Sequence, residues 1–236
     1  MKKFSDYNLT SPILAKLQKL NLLYPTPIQS LSIPLALEGS DLLGTAQTGT
    51  GKTFAFGIPL VNHLALNKDS GALILTPTRE LALQVLTAIK SLTSKGNLLD
   101  AALLIGGDPI QKQLKQLKKA RLVVGTPGRM KDHLKRNSLK LNKFDYLVLD
   151  ETDRMLDMGF VDDIKSIIEK LPSHQTLLFS ATLPKNISDL AQKFLDNPQR
   201  INAGKENTPI TDIKQEVRNV SQKEKFSQLK IELVER

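Results

Sequence analysis

Six short apolar runs recur along the chain, each separated from the next by a longer amphipathic stretch. The runs are 41–45, 72–76, 101–105, 122–124, 146–149 and 176–179. They are too short for helices and seldom alternate apolar with polar residues, which is the pattern of strands buried on both faces. The stretches 53–66, 80–92, 110–119, 129–136, 161–169 and 187–195 read instead as helices. Repeated strand–helix order predicts an α/β fold, a mostly parallel sheet with helices on both faces. A further helix is expected at 11–20, followed by a proline-marked loop at Pro25 and Pro27.

The chain has 236 residues, enough for one large domain or for one domain with part of a second. The strand–helix pattern stops after Phe194. Asn197-Pro198 ends the last helix, 203–209 is polar and turn-rich, and 213–220 alternates apolar with polar residues. A new helix is expected near Lys223, and the chain ends inside it. The expected division is therefore 1–206 as one domain and 207–236 as a linker with the truncated start of another.

Composition narrows the chemistry. There is no cysteine, which excludes disulfides, thiol catalysis and cysteine-ligated zinc and suits a cytoplasmic location. Apolar runs stay far below the roughly 20 residues of a membrane span, and the polar start Lys2-Lys3-Phe4-Ser5-Asp6 lacks a signal-peptide core. No membrane partner is expected. Lys plus Arg number 33 against 24 Asp plus Glu, a net charge of +9 that favours polyanions such as nucleic acid. Aromatic content is only 5%, with no Trp, so contacts to a phosphate backbone are expected rather than base stacking.

Ala46-Gln47-Thr48-Gly49-Thr50-Gly51-Lys52-Thr53 lies between an expected strand and an expected helix. Glycines let the backbone curl so that successive N–H groups face one anion, and the helix N-terminus adds partial positive charge. Thr48, Gly49, Thr50, Gly51, Lys52 and Thr53 thus form a candidate phosphate loop, with Lys52 on the β- and γ-phosphates and the Thr53 hydroxyl on Mg²⁺. Ala46 stands where the general pattern has its first glycine. Tyr146-Leu147-Val148-Leu149-Asp150-Glu151 supplies the complementary acids at the end of a strand. Asp150 is expected to hold Mg²⁺, mainly through water, and Glu151 to orient the attacking water or accept its proton.

With these residues in place, the sequence resembles the N-terminal RecA-like domain of a DEAD-box RNA helicase. Asp150-Glu151-Thr152-Asp153 resembles the family's Asp-Glu-Ala-Asp, with Thr for Ala. Pro25-Thr26-Pro27-Ile28-Gln29 resembles the Q motif, with Phe4 at the expected distance upstream. Pro77-Thr78-Arg79-Glu80-Leu81 resembles motif Ia, Gly106-Gly107 the GG motif, Thr126-Pro127-Gly128-Arg129 motif Ib and Ser180-Ala181-Thr182 motif III. Any one tripeptide is weak, but seven motifs in family order are specific.

The resemblance implies an ATP-dependent RNA helicase using ATP and Mg²⁺, with RNA and a second RecA-like domain of the same parent chain as partners. Pro25, Gln29 and Leu22 fall at adenine-binding positions. The Gln29 amide carries a donor and an acceptor, the complement of adenine's N6 and N7. Leu22 replaces an aromatic residue that stacks on the base in the family. The resemblance assigns Pro77, Thr78, Arg79, Gly106, Gly107, Thr126, Pro127, Gly128 and Arg129 to the RNA backbone, without base readout. Asp153, Ser180 and Thr182 are expected to couple the nucleotide and RNA sites. The second domain is expected to supply arginines worth on the order of 10³–10⁵ in rate. The rival reading is a non-catalytic ATP- and RNA-binding module that acts by occupancy. His63, His133 and His174 show no metal-ligand spacing. The Lys112, Lys115, Lys118 and Lys119 stripe reads as a solvated helix face, and 154–160 as packing behind the acidic residues.

Overall fold

The computed structural model describes residues 2–47, 49–93, 100–203 and 217–235. The chain divides into two compact units, Met1–Glu206 and Asn207–Arg236. The first is built on strands β1 (Leu42–Thr45), β2 (Gly71–Leu75), β3 (Ala101–Leu104), β4 (Leu122–Gly125), β5 (Phe144–Leu149), β6 (Gln175–Ser180) and β7 (Gln199–Asn202). They form one sheet in the order β3-β4-β2-β5-β6-β1-β7, and every neighbouring pair is parallel. The helices are α1 (Ser11–Lys19), α2 (Pro27–Leu37), α3 (Lys52–Leu66), α4 (Arg79–Ser91), α5 (Ile110–Leu117), α6 (Pro127–Lys135), α7 (Thr152–Asp157), α8 (Val161–Ile168) and α9 (Lys185–Phe194).

Strand β5 shows how the two layers arise. Its side chains alternate across the sheet. Tyr146 and Val148 join a core with Ile28, Phe56 and Ile89 from α2, α3 and α4. Leu147 and Leu149 join a second core with Met130, Met155, Ile164 and Leu190 from α6, α7, α8 and α9. Every residue of β1, β2 and β4 is buried, which is why these strands read as unbroken apolar runs. The edges differ. In β3 full burial alternates with partial burial, and in β7 only Ile201 is buried.

Four elements go beyond the sequence pattern. A 3-10 turn spans Phe4–Asp6, and α7 and β7 are additional elements. The proline-marked loop is short, because α2 begins at Pro27 itself. Pro27 occupies the first helical position, where the missing N–H has no intrahelical partner to lose. Pro34 lies inside α2, where burial of Ile28, Ile33 and Ala36 offsets its cost.

In the second unit, α10 spans Lys225–Glu235, and Arg218 pairs with Glu232 at 3.0 Å. Half of the expected alternating segment, 213–216, falls outside the described residues, as does nearly all of the expected linker. Residues 217–220 carry no regular element.

Candidate functional site

Each sequence motif of the first unit after Pro25-Thr26-Pro27-Ile28-Gln29 leaves the sheet at the carboxyl end of a strand, where open α/β sheets bind ligands. Read across the sheet, the order is Gly106-Gly107 after β3, Thr126-Pro127-Gly128-Arg129 after β4, Pro77-Thr78-Arg79 after β2, Asp150–Asp153 after β5, Ser180–Thr182 after β6 and the phosphate loop after β1. Chain order is thereby sorted into two halves. The β3-β4-β2 half collects the expected RNA motifs, and the β5-β6-β1 half collects the nucleotide motifs.

The nucleotide half is tightly determined. Thr48 lies outside the described residues. Gly49 and Gly51 have φ of 85° and 94°, the left-handed region that favours glycine. A Cβ at Gly51 would also stand 2.6 Å from Gln29 Nε2. Thr50 Oγ1 donates to Gln47 O at 2.7 Å and closes the turn. Gly51 caps α3, and Lys52 and Thr53 open it. Lys52 is 7% exposed, and among the described residues its buried Nζ has no hydrogen-bond partner. A buried ammonium in that state is costly unless an anion meets it. A phosphate at this helix N-terminus fits the orphaned donor.

Gln29 is brought to the loop from α2. Its Oε1 accepts from Thr26 N–H at 3.0 Å, half of a capping box, and its Nε2 donates to Gly51 O at 3.0 Å. Pro25 is half-buried just before this helix. Leu22 is half-buried, packs against the α1–α4 core and lines a cavity of about 400 Å³ with Phe4, Leu14 and Leu17.

The acids stand at the end of β5. Asp150 is 3% exposed, and its Oδ1 accepts from Glu151 N–H at 3.0 Å. Burial pushes its carboxyl up to about 6; the Lys52 charge opposes this and the Glu151 charge adds to it. A divalent cation would lower it again. Glu151 has φ of 50°, a strained value for a non-glycine residue, and Arg154 Nη1 lies 3.3 Å from its Oε2. Among the described residues no group of three or more acidic or His side chains could hold a metal alone. Thr53 and Asp150 suit Mg²⁺, which takes one or two protein ligands beside phosphate oxygens and water.

Within the nucleotide half, a dense polar junction ties the turn after β5 to the end of β6. Asp153 Oδ2 accepts from Ala181 N, Thr182 N and Thr182 Oγ1 at 3.0–3.1 Å, and Asp153 N–H donates to Ser180 Oγ at 3.3 Å. Thr152 is fully buried, with its hydroxyl 3.1 Å from Phe179 O and 3.3 Å from Leu149 O. The Thr in place of Ala thus adds a tie between β5 and β6.

The other half is a cleft of about 450 Å³ lined by Pro77, Thr78, Arg79, Gly106, Thr126 and Arg129, with Phe160 on its wall. Helices α4 and α6 both begin here. Thr78 Oγ1 caps α4 by accepting from Leu81 N–H at 3.2 Å, and Pro127 and Gly128 form the first turn of α6. The Arg79 guanidinium lies on the glycine pair, 2.6 Å from where a Cβ of Gly107 would be. Arg129 Nε donates to Ile105 O at 3.0 Å. Two helix N-termini and two arginines converge on one groove, an arrangement suited to phosphate oxygens.

A family model of the DEAD/DEAH box helicases matches residues 26–190, more than half of the chain. The chain belongs to this family. It is 45% identical over 233 residues to the ATP-dependent RNA helicase CshA of Listeria monocytogenes, covering 97% of this chain and 44% of that protein. The chain therefore spans less than half the length of that curated relative. The crystal structure of a DEAD box protein from the hyperthermophile Methanococcus jannaschii is 41% identical, with a TM-score of 0.82 over 98% of this chain and 63% of that one. That of a hypothetical ATP-dependent RNA helicase from Sulfolobus tokodaii is 35% identical, with a TM-score of 0.77 over 83% and 57%. The sheet is the RecA-like fold of these DEAD-box neighbours.

Several residues of this DEAD/DEAH box chain reach the cleft without a motif to announce them. Asp132 and Met158 line it beside Phe160, as does Glu80 of the motif Ia match. Met158-Gly159-Phe160 carried the only signal, an aromatic and a Met in a short turn; Phe160 also packs on the core, whereas Met158 is exposed.

Proposed function

We propose that the chain is the ATP- and RNA-binding core domain of an ATP-dependent RNA helicase. Residues 1–206 form that domain, and 207–236 lead towards a second RecA-like domain. The observation that carries this reading is the division of one sheet edge into a phosphate-loop half and a cleft that holds two arginines and two helix N-termini.

In this reading Lys52 and the N–H groups of the loop hold the β- and γ-phosphates of ATP, while Gln29 faces the adenine. Mg²⁺, when bound, neutralises charge on the phosphate oxygens; Thr53 and Asp150 are its protein ligands. Glu151 orients the attacking water and takes its proton as the β–γ bond breaks and ADP leaves. Closure by the second domain completes the site. Arg79, Arg129 and the turns at Gly107 and Thr126 hold one RNA strand by its backbone, so binding is indifferent to sequence. The absence of cysteine and of long apolar runs supports a cytoplasmic location, and among the described residues no helix is long and apolar enough to cross a membrane. The intact Lys52, Asp150 and Glu151 disfavour a module that acts by occupancy alone.

Two titrations test the division. Lys52→Ala should abolish measurable ADP·Mg²⁺ binding in calorimetry and spare RNA affinity. Arg129→Ala should weaken a fluorescent single-stranded RNA and spare ADP, with a shallower salt dependence. Loss of both ligands in either folded variant would overturn the two-half reading.

A further inference from the structure

Gln113 and His133 are both fully buried, and neither belongs to a recognised motif. They lie on α5 and α6, the helices that follow the Gly106-Gly107 turn and the β4 turn. Buried polar side chains persist where their hydrogen bonds are met, and here they are met in an unusual place. The Gln113 Nε2 donates to Ile105 O at 3.0 Å and to Asp108 O at 3.1 Å. Those two carbonyls bracket Gly106-Gly107, so one amide group clasps both ends of the turn. Its Oε1 faces His133 Nε2 at 3.0 Å. With both amide protons spent on carbonyls, Oε1 can only accept, so Nε2 of the imidazole carries the proton. Ser138 Oγ sits 2.8 Å from Nδ1 and 3.0 Å from His133 O, so its one hydroxyl proton is shared between the ring and that carbonyl.

Helix α6 is also the helix of Arg129, whose Nε donates to the same Ile105 carbonyl. Arg79 packs on the glycine pair itself. The chain of contacts therefore runs Ser138–His133–Gln113–glycine turn, with Arg79 on the glycines and Arg129 on the carbonyl before them. We propose that Gln113 and His133 are positioning residues for strand binding: they lock the Gly106-Gly107 turn to α6 so that Arg79 and Arg129 address one sugar-phosphate backbone together. The proposal rests on the reading of that cleft as an RNA site, and names the side chains that hold it in shape. Neither side chain has to touch RNA, because both act through the turn.

Fluorescence anisotropy with a labelled single-stranded RNA and calorimetry with ADP read the two halves separately in the 236-residue chain. Gln113→Leu and His133→Leu should weaken RNA binding roughly tenfold and leave ADP affinity within about twofold. His133→Gln keeps an N–H donor at similar reach and should recover most of the loss. A merely structural role would lower stability without separating RNA from ADP, and equal loss of both ligands counts against the proposal. Should the leucine variants fail to fold, Ser138→Ala carries the test: it removes one half-buried hydroxyl and frees the Nδ1 side of the imidazole, and RNA binding should weaken about threefold. Folded variants with unchanged RNA affinity, in a chain where Arg129→Ala loses it, overturn the proposal and leave the RNA cleft standing. RNA affinity indifferent to Arg129→Ala as well overturns both.

Discussion

Gln29 braces the phosphate loop through a single amide, and in the proposed reading the same amide selects adenine. Among the described residues its oxygen and nitrogen are each bonded once, to Thr26 N–H and Gly51 O. Each keeps one further site, an N–H and a lone pair, which is the pair that adenine's edge requires. Gln29→Ala should weaken ADP binding by roughly 1–3 kcal/mol and GDP binding less, as read by calorimetry. Equal losses would leave Gln29 as a loop brace only. Thr152 makes a comparable case inside the acidic motif. Its buried hydroxyl serves carbonyls of β5 and β6, so Thr152→Ala, the residue common in the family, should lower stability by roughly 1–2 kcal/mol in urea unfolding. An unchanged midpoint would show that the hydroxyl is idle. Neither tie was legible in the sequence, because the partners Gly51 and Phe179 lie 22 and 27 residues away. The residue types were legible, since a phosphate loop and an acidic pair need particular side chains wherever they fold.

Two elements carry the sharpest constraints on backbone and charge. The turn into α3 passes through Gly51 at φ 94° with Gln29 against it. Gly51→Ala adds a Cβ in a region that costs L-residues roughly 1–2 kcal/mol and pushes it into the Gln29 amide. ADP affinity should fall sharply while the far cleft still binds RNA; retained ADP affinity would mean that the loop can reshape. Helix α6 carries the second constraint. Burial holds the His133 imidazole below its ordinary value of 6.5; the Arg129 and Arg136 charges act in the same direction and Asp132 against it. The folded protein keeps the ring neutral where the unfolded chain takes up a proton. This contribution is therefore complete above about 6.5 and is lost as pH falls below it towards the lower folded value. The urea midpoint should drop between about pH 7.5 and 5.5, and drop less in His133→Gln. Identical pH profiles for the two proteins would remove His133 as the cause.

At the scale of the whole molecule, binding and turnover should separate. The first unit holds the phosphate loop and both acids, and in the proposed reading rapid hydrolysis also needs the closing surface of a second RecA-like domain. Residues 1–236 are expected to bind ADP yet release phosphate from ATP very slowly, with little response to RNA. Joined to the second domain of its parent chain, the protein should show RNA-stimulated turnover that Glu151→Gln abolishes while ATP still binds. Full RNA-stimulated turnover by the shorter chain would refute this division of labour. The sequence by itself determined the central strands, most of the helices and the residue types at each strand end. Those signals are local: buried parallel strands must be apolar throughout, a phosphate loop needs Gly-Lys-Thr at a helix start, and helices declare themselves by period. Local signals failed at β7, where edge pairing with β1 makes a strand of Gln-Arg-Ile-Asn with one buried side chain, and at α2, where packing on α3 overrides the internal Pro34. Only the tertiary structure decided the strand order, because a crossover helix is compatible with several neighbours. That order gathers the motifs after β3, β4 and β2 into one cleft, apart from those after β5, β6 and β1. It also decided the buried ties of Gln29, Gln113 and Asp153, since a polar group is held to one partner only when burial removes water as the alternative.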